Sequence, residues 1–328
     1  MAKNTILLRV VLTQPNQRKL GRYCIDYEIG AGGLGRVFRG TDSYTGKAVA
    51  IKFLHEKYQR NKRFLGIFHR ELMIIARLKH KHIVQFIDAN YEENNCYIVT
   101  EFIDGWSLHK LMKQIHIFPP LVALTIAIDI LQGIDYLHLH DMIHSDLSSP
   151  NVLVAKNGRV LLADFGLACS GELENYKNYM IGTPGYYSPE HISNTSMQVQ
   201  SDIYCVGLLL YEMLTGEKAV VAAKDIAQVI ASMKKVNVKK ITSPDSRLQS
   251  SLRMIVSNAL KFKMTKRTQT AEDMMIQILK VLKNYNIRYA RHAIHQFLGE
   301  SGLSLPIPEK FHQDIHFGSP VKTFFSHQ

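Results

Sequence analysis

Residues 30–37 read GAGGLGRV, a glycine-rich turn between two runs that alternate apolar and polar residues, YCIDYEIG before it and VFRGTD after it. Glycines leave room for backbone N–H groups to come close to phosphate oxygens, so such a turn is compatible with several nucleotide-binding folds. The residues after the turn narrow the choice. In a dinucleotide-binding fold the glycines lead into a helix, whereas VFRGTD continues as a strand. The pattern therefore argues against that fingerprint and for a hairpin lid over a nucleotide, the alternative being a glycine-rich hairpin with no ligand.

A third strand-like run, KAVAIKFL, comes next, so the chain opens with three antiparallel strands. Period-two alternation puts Ala50 and Lys52 on one face of that strand and Val49 and Ile51 on the other. From about 63 to 79 the apolar residues Phe64, Phe68, Leu72, Ile75 and Leu78 recur at helical spacing. Glu71 falls on that stripe. A carboxylate facing a core needs a partner, and Lys52 is the economical one, the plainer alternative being that Glu71 fringes the helix. A further pair of strands is predicted at 83–89 and 96–102.

After Gly105 the character changes. PPLVALTIAIDILQGIDYLHLH reads as a long apolar helix, and 201–215, 224–234, 246–262 and 270–284 read as further helices. Near the end, Ile287, Ala290, Ile294 and Phe297 form one stripe that packs on its own domain, and from about 299 the chain reads as a loose extension. No segment reaches ~18 uninterrupted apolar residues, and the N-terminal ILLRVVL lacks a cleavage site, so neither a membrane span nor a signal peptide is expected. The four cysteines are far apart with no C-x-x-C pair, which argues against disulfides and a zinc site and for the cytoplasm. Net charge is +12, and residues 234–267 hold ten Lys and Arg against Asp245 alone, or +9. That stretch is read as a solvated helical face, with nucleic acid or another acidic partner as the weaker alternative.

Chemistry concentrates in DMIHSDLSSPNVLVA at 141–155 and LLADFG at 161–166. Asp146, Asn151 and Asp164 lie at strand ends or on an adjoining loop, which suits a hard cation bound through oxygen, with a proton acceptor nearby. Magnesium with a phosphate is the natural guest, manganese the alternative ion.

These residues carry a family resemblance. GAGGLGRV, VAIK, Glu71, HSDLSSPN, DFG, GTPGYYSPE at 182–190, SDIYCVGLLLYEMLTG at 201–216 and Arg267 stand in the order and approximate spacing of a protein kinase domain. The resemblance covers about residues 22–283 and implies an α+β, bilobal fold: a small β-rich N-lobe, about 22–103, with one key helix, and a larger, mostly helical C-lobe, about 104–283. Residues 1–21 would be an N-terminal extension, and 284–328 a C-terminal helix and tail.

The resemblance further implies that Gly30, Ala31, Gly32, Gly33 and Gly35 cover the phosphates of ATP. Lys52, held by Glu71, would bond the α- and β-phosphates, Asn151 and Asp164 would hold magnesium, and Asp146 would orient the acceptor hydroxyl and take its proton. Glu101 and Ile103 would bond adenine through their backbone, with Thr100 behind the ring and Ile29, Val37, Ala50 and Leu153 as apolar walls. Glu190 with Arg267 resembles the family's buried ion pair, Asp202 the carboxylate that braces the catalytic loop, and Ile75, Phe86, His144 and Phe165 its stacked spine. GTPGYYSPE is similar to the substrate-docking segment of serine/threonine kinases, so the implied partner is a protein with a Ser or Thr acceptor. The opening of the domain looks like the bacterial branch. Oligomeric state is left open.

Two residues depart from the pattern. Ser145 replaces the arginine that pairs with a phosphorylated activation segment, which predicts activity without phosphate at Ser170, Tyr176, Tyr179 or Thr183. Ser148 replaces a lysine that faces the γ-phosphate. These two serines favour the rival reading, a pseudokinase that binds nucleotide but transfers little, while Lys52, Glu71, Asp146, Asn151 and Asp164 favour the enzyme. A small-molecule kinase fits less well, because GTPGYYSPE resembles a platform for a polypeptide.

Overall fold

In the computed structural model the described residues are 18–303, apart from 33, 93–94, 170–181, 194, 221–222, 224 and 285–289. Strands β1 (Arg18–Leu20), β2 (Tyr23–Ala31), β3 (Gly35–Asp42) and β4 (Ala48–Leu54) follow one another as hairpins. Helix α1 (Lys62–Ile75) then leaves the sheet, and β5 (Phe86–Glu92) and β6 (Asn95–Glu101) complete it in the order β1-β2-β3-β4-β6-β5, antiparallel at every pairing. The alternation in β4 does what its spacing predicts. Val49 and Ile51 are 1% and 0% exposed in a small core with Leu20, Tyr23 and Val99, which leaves Ala50 and Lys52 on the other, half-buried face.

In the first lobe two predicted boundaries move by three residues or more. Helix α1 stops at Ile75 rather than 79, because the amides of Arg77 and Leu78 bond back three residues, to Ile74 and Ile75, and tighten the last turn. Strand β5 begins at Phe86 rather than 83, because Ile83 and Val84 are taken by a different sheet: Ile83 bridges Leu162 in parallel and Val84 N–H donates to the Leu162 carbonyl at 3.0 Å. Asn61 caps α1 by accepting from Arg63 N–H, which fixes where the helix starts.

Past Glu101 the chain crosses to the second lobe through β7 (Gly105–Ser107), a strand the sequence does not announce, followed by the equally unannounced α2 (Leu108–Ile115). Strand β7 pairs with β8 (Val152–Ala155), and β8 with β9 (Val160–Leu162). Gly105 is obligatory there, since a Cβ would lie 2.1 Å from the Val154 carbonyl oxygen. Between β7 and β8 runs α3 (Pro120–His138), whose Pro120 starts the helix without wasting a donor.

The remaining helices are α4 (Pro189–Ile192), α5 (Val199–Thr215), α6 (Ile226–Lys234), α7 (Ser246–Ala259), α8 (Ala271–Asn284) and α9 (Ala290–Glu300). Helix α3 touches α5, α8, α9 and β9, while α7 packs on α5 and α8, and α6 on α4. Leu124, Ile126, Ile130, Leu131 and Ile134 of α3 are at most 1% exposed, each burial contributing roughly 1.5–3 kcal/mol. Helix α3 is the one described helix long and apolar enough to cross a membrane, and most of it is buried inside this lobe. A β-rich lobe with one helix and a larger helical lobe are thus both present, as the resemblance implies.

Candidate active site

The site lies where the two lobes meet, and its first member is Lys52. Glu71 sits on the buried face of α1 with Ile67, Phe68 and Ile75, so the helix carries its carboxylate to the sheet. Lys52 Nζ donates to Glu71 Oε1 at 2.7 Å and Oε2 at 2.8 Å, and lies 3.1 Å from Asp164 Oδ1. Burial works against the Lys52 ammonium, but the carboxylates of Asp164 and Glu71 outweigh it and hold the group above the ordinary lysine value. Burial also raises Glu71 against the pull of Lys52. Of these opposed tendencies the ammonium prevails, because two carboxylates flank one cation. Asp164 is likewise pressed upward by burial and brought below its ordinary value by Lys52.

The remaining candidates stand between α3 and β8 and just after β9, on a backbone that is not relaxed. Ser145 and Asp164 both have left-handed φ, 65° and 62°, a conformation that side-chain-bearing residues keep only when their surroundings impose it. Asp202 imposes it at Ser145. Completely buried in the first turn of α5, it accepts from His144 N–H at 2.9 Å and Ser145 N–H at 3.1 Å, with His138 Nε2 at 2.9 Å. Asn151 Nδ2 donates to the carbonyl of Asp146 at 2.9 Å and to its Oδ2 at 3.0 Å. From the other side Thr183 N–H donates to Asp146 Oδ1 at 2.9 Å. Burial, then the nearby Asp164 charge, raises Asp146 above the ordinary carboxylate value.

Ser145 and Ser148 are bound into this network. The Ser145 hydroxyl lies 3.3 Å from Cys169 Sγ, on the residue that pairs with Ile143 just before 170–181. Ser148, 0% exposed, accepts from the Thr183 hydroxyl at 3.1 Å. The His144 ring lies tilted against Phe165 at 5.1 Å between centroids, and neither of its ring nitrogens has a partner among the described residues.

The glycines divide by role. A Cβ on Gly35 would lie 2.0 Å from the Phe53 carbonyl oxygen, so this glycine lets β3 and β4 approach, while at Gly30 and Gly32 nothing lies within 4 Å of that position. The open cradle is therefore at Gly30 to Gly32, with exposed Ala31 between; Gly33 lies outside the described residues. Ile29, Val37, Ala50 and Leu153 are half-buried, and so is Ile103. Val37 stands opposite Lys52 and Ala50 opposite Thr100 in the sheet register.

As to a metal, among the described residues no cluster of three or more His, Cys, Asp or Glu could hold one. Asp164 and Asn151 nevertheless form a fitting pair of oxygen donors: the Asp164 side chain is 42% exposed, and with Asn151 Nδ2 committed to Asp146 its carbonyl oxygen is left to bind. One carboxylate plus one amide, completed by phosphate oxygens, is what magnesium accepts.

Sequence reasoning missed a second polar group behind Thr183. The Tyr186 hydroxyl lies between Ser149 and Glu212, and Lys218 pairs with Glu212 at 2.8 Å while sitting 3.6 Å over the Tyr186 ring. Missed too is the Arg159–Glu101 pair at 3.5 Å, which ties the β8–β9 turn to the segment between the lobes. Neither has a local signal, because each joins residues far apart in the chain.

A protein kinase domain model matches residues 23–279. The chain is 33% identical over 260 residues to the probable serine/threonine-protein kinase PknB of Lactococcus lactis, covering 78% of this chain and 41% of that protein. It is 31% identical over 271 residues to the serine/threonine-protein kinase PrkC of Bacillus subtilis, covering 80% and 41%. With the serine/threonine-protein kinase PknL of Mycobacterium tuberculosis the identity is 32% over 197 residues, covering 60% and 49%. The matched regions span from two fifths to one half of these relatives' lengths.

Proposed function

The chain belongs to the protein kinase family, in its bacterial serine/threonine branch, and on that premise we propose that it transfers the γ-phosphoryl group of ATP to a serine or threonine hydroxyl of a protein. The observation that carries this reading is that Lys52 is held at once by Glu71 and Asp164 while Asp146 is held by Asn151 and Thr183. Two such held groups support a phosphotransfer reading, Lys52 for the nucleotide and Asp146 for the acceptor.

ATP with magnesium, when bound, supplies an electrophilic phosphoryl group whose charge is partly neutralised. Lys52 would bond the α- and β-phosphates, with Glu71 keeping it extended toward them. Backbone groups at Gly30 to Gly32 would cover the phosphates, Asp164 and Asn151 would hold the ion, and the backbone of Glu101 and Ile103 would take the adenine. Asp146, buried and fixed on both sides, receives the acceptor hydroxyl in one orientation and accepts its proton. Ser148 supplies no positive charge to the γ-phosphate; a missing donor of this kind costs ~2.7–4 kcal/mol, against a total acceleration of ~8–23 kcal/mol for enzymes in general. Ser148 instead anchors Thr183. Transfer is slower for it, but not abolished.

The kinase domain in this reading comprises 22–283, and its location is a reducing compartment, the cytoplasm, supported by four free cysteines. The decisive test is transfer from labelled ATP and magnesium to generic protein substrates by wild type, Asp146→Asn and Lys52→Met. Wild type alone should label the substrate. Equal background incorporation by all three, with ATP still bound, would establish the pseudokinase reading instead.

A further inference from the structure

Helix α9 lies beyond the matched kinase domain, yet it is built into the C-lobe. Ile294 and Leu298 are 0% and 1% exposed, and the Phe297 ring lies 5.6 Å from Phe118. The helix ends in a Schellman stop: Leu303 N–H donates to the Leu298 carbonyl at 2.8 Å, Gly302 N–H to the Gly299 carbonyl at 3.0 Å, and Gly302 takes φ 70°. Both cap bonds join residues of the helix to the turn that closes it.

Among its apolar neighbours this helix buries one imidazole, His295, 8% exposed. Its Nδ1 lies 2.6 Å from the backbone carbonyl oxygen of Lys156. A carbonyl can only accept, so Nδ1 carries the proton and donates. Leucine would pack here at no desolvation cost, so a polar ring is explained by the bond it makes.

That bond grips the turn between β8 and β9, and the turn clasps the segment between the lobes at several points. Lys156 N–H donates to the Asp104 carbonyl at 2.9 Å, Lys156 Nζ pairs with Asp104 Oδ1 at 2.8 Å, Arg159 pairs with Glu101 at 3.5 Å, and Ala155 is opposite Gly105 in the sheet. Glu101 and Asp104 bracket Ile103. We infer that His295 is a positioning residue for ATP: through the 155–159 turn it sets the place of the backbone that receives the adenine. The inference rests on the proposed reading of 101–103 as the adenine-binding segment.

The test uses the full chain, with His295→Leu to remove the donor while keeping bulk, His295→Asn to restore a donor near Nδ1, and His295→Gln to move it outward. ATP dissociation constants by titration calorimetry and KM and kcat for ATP are measured for each. A neutral hydrogen bond is worth about fivefold in an equilibrium constant and reaches ATP only through the turn it holds, so His295→Leu and His295→Gln should raise the ATP dissociation constant and KM by about twofold to fivefold, with kcat within twofold of wild type. His295→Asn should restore ATP affinity. An unchanged ATP dissociation constant in folded His295→Leu or His295→Gln, or a fall in kcat at unchanged affinity, overturns the inference. A wild type that binds ATP but transfers no phosphate refutes the transferase reading alone, and the dissociation constants still decide the role of His295.

Discussion

At Asp146, burial and the adjacent Asp164 charge both disfavour the ionised form that the proposed mechanism requires. A base must be deprotonated to accept, so the rate falls as pH drops through a pKa raised above the usual aspartate value of about 3.9. The acid limb of kcat/KM against pH should therefore have its midpoint above about 4. A limb at or below that value, measured with a substrate that does not itself titrate there, counts against Asp146 as the proton acceptor. At Lys52, replacement by Met removes the cation flanked by Glu71 and Asp164. Transfer should drop by about a hundredfold or more, read as incorporated label under saturating ATP.

Elements are held by a few polar anchors whose loss has a calculable direction. Arg267 and Glu190 form a buried pair at 2.8 Å, and Arg267 also donates to the carbonyls of Gln200, Lys261 and Phe262 at 2.6, 3.0 and 3.2 Å, joining α4, the start of α5 and the segment before α8. Arg267→Met leaves Glu190 buried without its cation, and the unfolding free energy from urea titration should fall by about 3–5 kcal/mol. In the N-lobe, Gly35→Ala sets a methyl group against the Phe53 carbonyl. Strands β3 and β4 must separate there, so a loss of more than about 1 kcal/mol is expected, with weaker ATP binding because Val37 and Lys52 share that register. The same substitution at Gly32 meets open space and should leave unfolding unchanged to within about 0.5 kcal/mol, with any loss confined to ATP binding.

Across the whole molecule, the two lobes are joined in an arrangement that brings Lys52, Glu71 and Asp164 together, while Ser170, Tyr176 and Tyr179 lie outside the described residues. Ser145, standing where the family resemblance implies an arginine, turns its hydroxyl to Cys169 and offers no cation to a phosphate. Transfer by phosphatase-treated protein should equal that of untreated protein. Phosphate found on the activation segment by mass spectrometry, with activity lost on its removal, would contradict this.

Much of this was legible in the residues themselves, wherever function needs a particular residue type at a particular local spacing. The strand after the glycine turn, the helical interval that turns Glu71 inward, and the order of the motifs are all short-range patterns, because strand and helix periods are set by local backbone geometry. They determined the family, the two-lobed architecture and the candidate residues. Only tertiary structure could decide that Ile83 and Val84 join β9 rather than β5, that Gly35 serves packing while Gly30 and Gly32 leave the cradle open, and that Ser148 anchors Thr183. It alone connects His295 to Lys156, 139 residues away in sequence, and so to the segment between the lobes. A contact between distant residues is specified by how whole elements pack, and that packing leaves no periodic trace in either partner's neighbourhood.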